Sequence, residues 1–142
     1  MILKEEKQME QDINKIYLEC ASELEKIGIQ VIGNKEIGDI DICVSKRNNK
    51  RYGVCKQEEP DKSTMYVEKK GKYKFIKYQK FNKHHIEISP WVMGLNDDII
   101  KNTVIHEIIH CMPCCNNHGM EFKKYAKYIN EKLGYDISRT RK

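Results

Sequence analysis

The chain has 142 residues, 39% of them hydrophobic, with 26 Lys and Arg against 21 Asp and Glu and a formal net charge of +5. That length suits one domain with a modest core, 1–142, and no glycine-, proline- or serine-rich linker divides it. No uninterrupted apolar stretch approaches the roughly twenty residues of a membrane span, and the start, Met1-Ile2-Leu3-Lys4-Glu5-Glu6, lacks the basic and apolar regions of a secretion signal, so a cytoplasmic protein without a membrane partner is expected.

Residues 1–30 hold four bases and seven acids, which leaves 22 bases and 14 acids for the remainder. Met9, Ile13, Ile16, Tyr17, Cys20, Leu24 and Ile27 recur at three- and four-residue steps and predict a long amphipathic helix closed by Gly28. The segment 40–89 reads as a sheet. Ile40, Ile42 and Val44 alternate with Asp41, Cys43 and Ser45, and the stretch Arg47 to Lys50 reads as a turn into Tyr52-Gly53-Val54-Cys55, a hairpin pattern. Residues 58–62 read as a loop. Met65 to Lys69 and Lys72 to Lys80 form a second hairpin pattern about Lys70-Gly71, and Ile86-Glu87-Ile88 a short strand.

Between Lys69 and His85 the chain has seven lysines and no acid. Lys69, Lys70, Lys72, Lys74, Lys77 and Lys80 interleave with Tyr73, Phe75 and Tyr78, a pattern in which lysines can meet phosphates while rings stack on bases. The same residues also suit a solvated hairpin, because lysines guard exposed strands against edge pairing.

Segment 90–134 carries the chemistry. Ser89-Pro90 is a helix-start signature, Gly94 interrupts, and Asn96 or Asp97 can cap a helix holding His106-Glu107-Ile108-Ile109-His110 in an apolar run. Histidines four apart share one helix face and can grip a single ion. Pro113 ends that helix near Cys111 or Met112, so the chain can turn back and present His118 at the opening of a final helix with Phe122, Tyr125, Ala126, Ile129 and Leu133, closed by Gly134. Three imidazoles and an open position make a catalytic zinc site, with one Zn2+ per chain on His106, His110 and His118. Glu107 is then placed to take a proton from the zinc-bound water.

Cysteine chemistry offers a rival. Cys20, Cys43 and Cys55 fit apolar patterns, but Cys111-x-x-Cys114 with His118 resembles a thiolate zinc knuckle, which would be closed and structural. On the first reading Cys114 and Cys115 pack a turn. The predicted order is helix, small mostly antiparallel sheet, then two ligand-bearing helices: an α+β, zincin-like arrangement. A sheet edge beside the metal, from Tyr52 to Cys55 or from Ile86 to Ile88, can hold an extended peptide by strand addition.

With these residues in place, the chain resembles the SprT-like zinc metalloproteases, which include the Spartan proteases that digest proteins crosslinked to DNA. The resemblance runs from about Ile40 to Gly134 and rests on Ile86-Glu87-Ile88-Ser89, on His106-Glu107-x-x-His110, and on His118-Gly119-x-x-Phe122. It implies zinc on the three histidines, Glu107 as catalytic base, a protein or peptide substrate, and single-stranded or damaged DNA as a partner. Two departures bear on the transfer. Eight residues follow Gly134, with no paired-cysteine zinc ribbon among them, so DNA contact is expected from the core; the linker between His110 and His118 is short and cysteine-rich. Metzincins are less similar, because their third histidine follows a glycine turn where this chain has Pro113. A zinc-dependent nuclease, and a non-enzymatic zinc module that binds nucleic acid, are the competing functions.

Overall fold

The computed structural model describes residues 2–47, 50–115 and 117–138. Its first helix, α1 (Ile2–Lys26), buries Ile13, Ile16, Cys20 and Leu24 of the stripe that the three- and four-residue spacing predicts, and Ala21 beside them. It ends as expected: Gly28 takes φ +91°, a left-handed conformation that glycine adopts without steric cost.

Five strands follow: β1 (Asp39–Val44), β2 (Gly53–Pro60), β3 (Met65–Lys70), β4 (Tyr73–Tyr78) and β5 (Phe81–Ile88). They form two sheets. The larger has the order β1-β5-β2, with β5 parallel to β1 and antiparallel to β2. The smaller is the β3–β4 antiparallel hairpin, turned by Gly71 at φ +62°.

The second hairpin is as the sequence predicts, but the first is not. β1 and β2 do not pair with each other, because β5 enters between them; of the turn expected there, Asn48 and Asn49 lie outside the described residues. β5 is long and apolar on its inner face, with Ile86 and Ile88 fully buried, and takes the central place where both neighbours shield it. This also removes Ile86 to Ile88 as a sheet edge. Of the two expected edges, the strand that begins after Tyr52, β2, does lie at a sheet edge, and it packs on α2. The expected loop at 58–62 is strand as far as Pro60, followed by a 3-10 turn, Lys62–Thr64, capped by the Asp61 side chain.

A 3-10 turn, Val92–Gly94, leads to α2 (Asp97–His110), where Asn96 caps by accepting from the Ile99 N–H at 3.0 Å. α2 packs against α1, β2, β5 and the last helix, α3 (Met120–Leu133). Enclosed in this way, it buries every residue from Thr103 to Ile109. α3 is amphipathic, seats Phe122, Ala126 and Ile129 on the core, and ends at Gly134 with φ +75°. The architecture is α+β with a mostly antiparallel sheet, and no helix among the described residues is long and apolar enough to cross a membrane.

Candidate metal centre

His106 and His110 stand one turn apart on α2, and the chain returns to bring His118 against both. The three Nε2 atoms lie 3.2 Å (His106–His118), 3.3 Å (His106–His110) and 3.1 Å (His110–His118) apart. His118 sits two residues ahead of α3 instead of opening it, because Gly119 occupies the N-cap. The Gly119 N–H donates to Asn117 Oδ1 at 2.9 Å, and a Cβ at this position would fall 2.8 Å from that same oxygen, so a larger residue would have to displace the Asn117 side chain.

The linker between His110 and His118 also orients one of the rings. Cys114 takes φ +65°, unusual for a side-chain-bearing residue, and the turn presents the Cys115 carbonyl to His110 Nδ1 at 2.8 Å. A carbonyl can only accept, so Nδ1 carries the proton and the Nε2 of neutral His110 keeps its lone pair. Such a bond to the far nitrogen fixes both the tautomer and the ring orientation of a metal-binding histidine.

Below the three rings lies Phe122. Its centroid is 4.8, 4.9 and 5.0 Å from those of His106, His110 and His118, and its ring is 1% exposed. It meets His106 and His118 edge to face, at 61° and 87°. Phe122, the last residue of His118-Gly119-x-x-Phe122, is thus the floor of the site.

Glu107 is 2% exposed and packs beside the first residue of β2. A Cβ at Gly53 would lie 3.2 Å from Glu107 Cγ, 3.3 Å from its Oε2 and 3.1 Å from Ile88 Cδ1. Gly53 therefore makes room for the carboxylate. Neither Gly53 nor the Cys115 carbonyl is among the residues that the sequence reading singles out. A glycine opening an edge strand is a general signal of close backbone approach, and it was available for Gly53; a backbone carbonyl has no sequence signal.

The thiolate knuckle does not assemble. Cys111 is buried, with its Sγ 3.6 Å from Cys55 Sγ and 3.5 Å from the Glu107 carbonyl, whereas Cys114 is exposed. Burial pushes the Cys115 thiol up to about 12, and that of Cys111 well above its usual range. Among the described residues, no cysteine joins the histidine group. The buried His106 with the half-buried His110 and His118 can hold a metal ion without sulfur.

The lysine-aromatic stretch is divided by the pleat of the hairpin. Register pairs place Tyr66, Lys70, Tyr73, Phe75 and Lys77 with Glu68 on one face, and Met65, Val67, Lys69, Lys74, Ile76 and Tyr78 on the other. Tyr73 and Phe75 are 62% and 44% exposed. Lys72, at the turn, holds its Nζ 5.7 Å from the Tyr73 centroid. Lys80 lies past the hairpin and faces Asp61, 3.9 Å away.

A histidine pair on one helix, a third histidine from the following turn and a buried carboxylate next to the first are compatible with a metallopeptidase-like domain. The SprT-like family model matches residues 19–141, and the chain belongs to the SprT-like family. Comparison with curated proteins and with solved structures gives no significant match.

Proposed function

We propose that the protein is a zinc-dependent endopeptidase in which His106, His110 and His118 hold one Zn2+ and Glu107 is the general base. The convergence of three Nε2 atoms carries this reading. Ligands about 2.0–2.1 Å from a tetrahedral zinc lie roughly 3.3–3.4 Å from one another, close to the 3.1–3.3 Å separations found. Hydrogen bonds alone do not account for the cluster: an N–H points along one direction and can satisfy one neighbour, whereas each nitrogen here faces two. An ion at the centre meets all three lone pairs.

When bound, zinc supplies a Lewis acid that polarises the scissile carbonyl and acidifies water. The remaining roles fall to the chain. His110 is held by the Cys115 carbonyl, the three rings rest on Phe122, and Glu107 takes the proton of the attacking water and returns it to the leaving amine. The packing of its carboxylate against Gly53 ties the base to the edge strand. Because β2 is paired with β5 on one side and packs on α2, an extended substrate adding to its outer edge would run past the site.

Single-stranded or damaged DNA is the proposed partner, met by the hairpin face with Tyr66, Tyr73 and Phe75 among Lys70 and Lys77. Rings exposed beside lysines are the components of a sequence-tolerant stacking platform. A link to the metal centre exists at the hairpin's base, where the Gln79 carbonyl accepts the Cys114 N–H at 3.4 Å.

The test is incubation of the zinc-loaded chain with an unfolded protein, with single-stranded DNA, and with both. Cleavage of the protein by wild type and not by Glu107→Gln, with DNA left intact, is the expected result. Cleavage of nucleic acid with the protein substrate intact would replace the peptidase by a nuclease.

A further inference from the structure

On the face of the sheet away from α2, four side chains from two strands meet. The side-chain alternation that turns Ile86 and Ile88 inward turns His85 and Glu87 outward, and the parallel register sets Asp41 beside His85 and Cys43 beside Glu87. Cys43 Sγ lies 3.6 Å from His85 Nε2, and Glu87 Oε2 lies 3.3 Å from that same nitrogen. All three atoms fall within 4.8 Å of one another. On the far side of the ring, Asp41 Oδ2 is 3.0 Å from His85 Nδ1.

We propose that Cys43, His85 and Glu87 form a second divalent-metal site, suited to zinc, with Asp41 orienting the histidine. The distances match the chemistry of the donors. For zinc–sulfur and zinc–nitrogen bonds of about 2.3 and 2.0–2.1 Å, a tetrahedral sulfur–nitrogen edge is roughly 3.5–3.6 Å, and a nitrogen–oxygen edge roughly 3.3–3.4 Å. A carboxylate on the second imidazole nitrogen is the usual support of a metal-bound histidine, and here it commits Nδ1 to the proton and Nε2 to the ion.

A cysteine nucleophile is the other chemistry that a Cys-His-Asp line suggests, and the charges argue against it. Burial first, and then the carboxylates of Glu10, Glu87 and Asp41, oppose a bare thiolate at Cys43; the Lys56 ammonium favours one and is outweighed. A divalent cation reverses that balance. As the sulfur–metal bond forms, the Cys43 proton leaves to water. The Lys56 ammonium, 3.2 Å from Glu87 Oε2, gives up its place on that oxygen; its side chain is 53% exposed and can swing into solvent. With His85 24% and Glu87 10% exposed, solvent can reach the site, leaving the fourth position to water or an incoming ligand. The ion would clip β1 to β5 on the opposite side of the sheet from the histidine triad. The competing state is a protonated His85 bridging Asp41 and Glu87, with no role for sulfur.

The two are separated by adding cobalt(II) to the chelator-stripped full chain and following the thiolate-to-cobalt charge-transfer band together with stoichiometry. Two equivalents are expected, one accompanied by the band. Cys43→Ser should lose the band and one equivalent, and His106→Ala should lose the other equivalent and keep the band. His85→Gln is a second variant if Cys43→Ser folds poorly, with the same expected loss. A single equivalent without a thiolate band, or a band that persists in Cys43→Ser and His85→Gln, would overturn the proposal. Because the band reports sulfur and the triad contains none, the result stands apart from whether the triad is catalytic.

Discussion

The histidine centre and the β3–β4 hairpin both stand out in the sequence as chemistry-bearing stretches, yet the fold treats them in opposite ways. At the centre, α2 is buried from Thr103 to Ile109, and the neighbours within about 5 Å each fix part of the geometry. Phe122 lies under the rings, the Cys115 carbonyl holds His110, and Gly53 sits against Glu107. The hairpin forms a sheet of its own, with Val67, Tyr73 and Ile76 more than half exposed. A residue of the centre is constrained by its neighbours and, on the proposed reading, by the reaction. A hairpin residue is constrained only by what it meets in solution. Substitutions should therefore separate the two regions cleanly.

The largest effect is expected at the base. Glu107→Gln keeps the shape of the side chain and should lower turnover about 10²–10⁴-fold while metal content stays at the wild-type level; kinetics paired with metal analysis check this. Phe122→Ala should cost about 3–5 kcal/mol in denaturant unfolding, since it removes a ring at the junction of α2 and α3, and should also weaken metal binding. If the ring were mere filler, stability would fall and metal affinity would not. Gly53→Val tests the contact between strand and base. Its branched side chain must displace Ile88 or Glu107, so kcat should fall about tenfold or more with zinc retained, a rise of about 1.4 kcal/mol or more in the barrier.

In the hairpin, the same measurements should stay flat. Lys70→Ala with Lys77→Ala should leave stability within about 0.5 kcal/mol per site. Against single-stranded DNA, the pair should reduce the salt-dependence slope by about 1.4, or about 0.7 for each phosphate that a lysine no longer neutralises. A hairpin variant that lost zinc would break the comparison. It would point to the hydrogen bond between Gln79 and Cys114 as a structural brace of the site.

A last effect lies in neither region and shows only in alkali. Burial raises Cys20 from 9.0 to about 12 and Tyr17 from 10.0 to about 12. In alkali the unfolded chain releases these protons first while the native state holds them, so the native state binds more protons and stability falls as pH climbs from about 9 towards 12. Cys20→Ala should flatten that limb in unfolding titrations.

How much of the fold and the site is legible in the sequence depends on whether the signal is local. The caps at Asn96 and Gly134, the stop after His110 and the β3–β4 turn are legible, because each is decided by a few adjacent residues. The pairing of β1 is not. Alternation marks Ile40, Ile42 and Val44 as strand, but which strand becomes its neighbour depends on β5, some forty residues further on, needing cover on both sides. The three histidines are legible as a set because helical spacing and a proline stop bring them together. The Cys115 carbonyl is not, and Gly53 signals a close approach without naming its partner, since the contacts to His110 and Glu107 exist only once the Cys114 turn and β2 are in place. Cys43 and His85 stay hidden for the same reason: only the parallel register brings them to 3.6 Å.

The central claim, zinc held by three nitrogens, is tested most directly by zinc-edge X-ray absorption on the Cys43→Ser chain, with and without His118→Ala. One zinc per Cys43→Ser chain with nitrogen and oxygen scatterers alone, lost or greatly weakened by the added His118→Ala, is the predicted result. Sulfur around that zinc, or a metal content indifferent to His118, would contradict it.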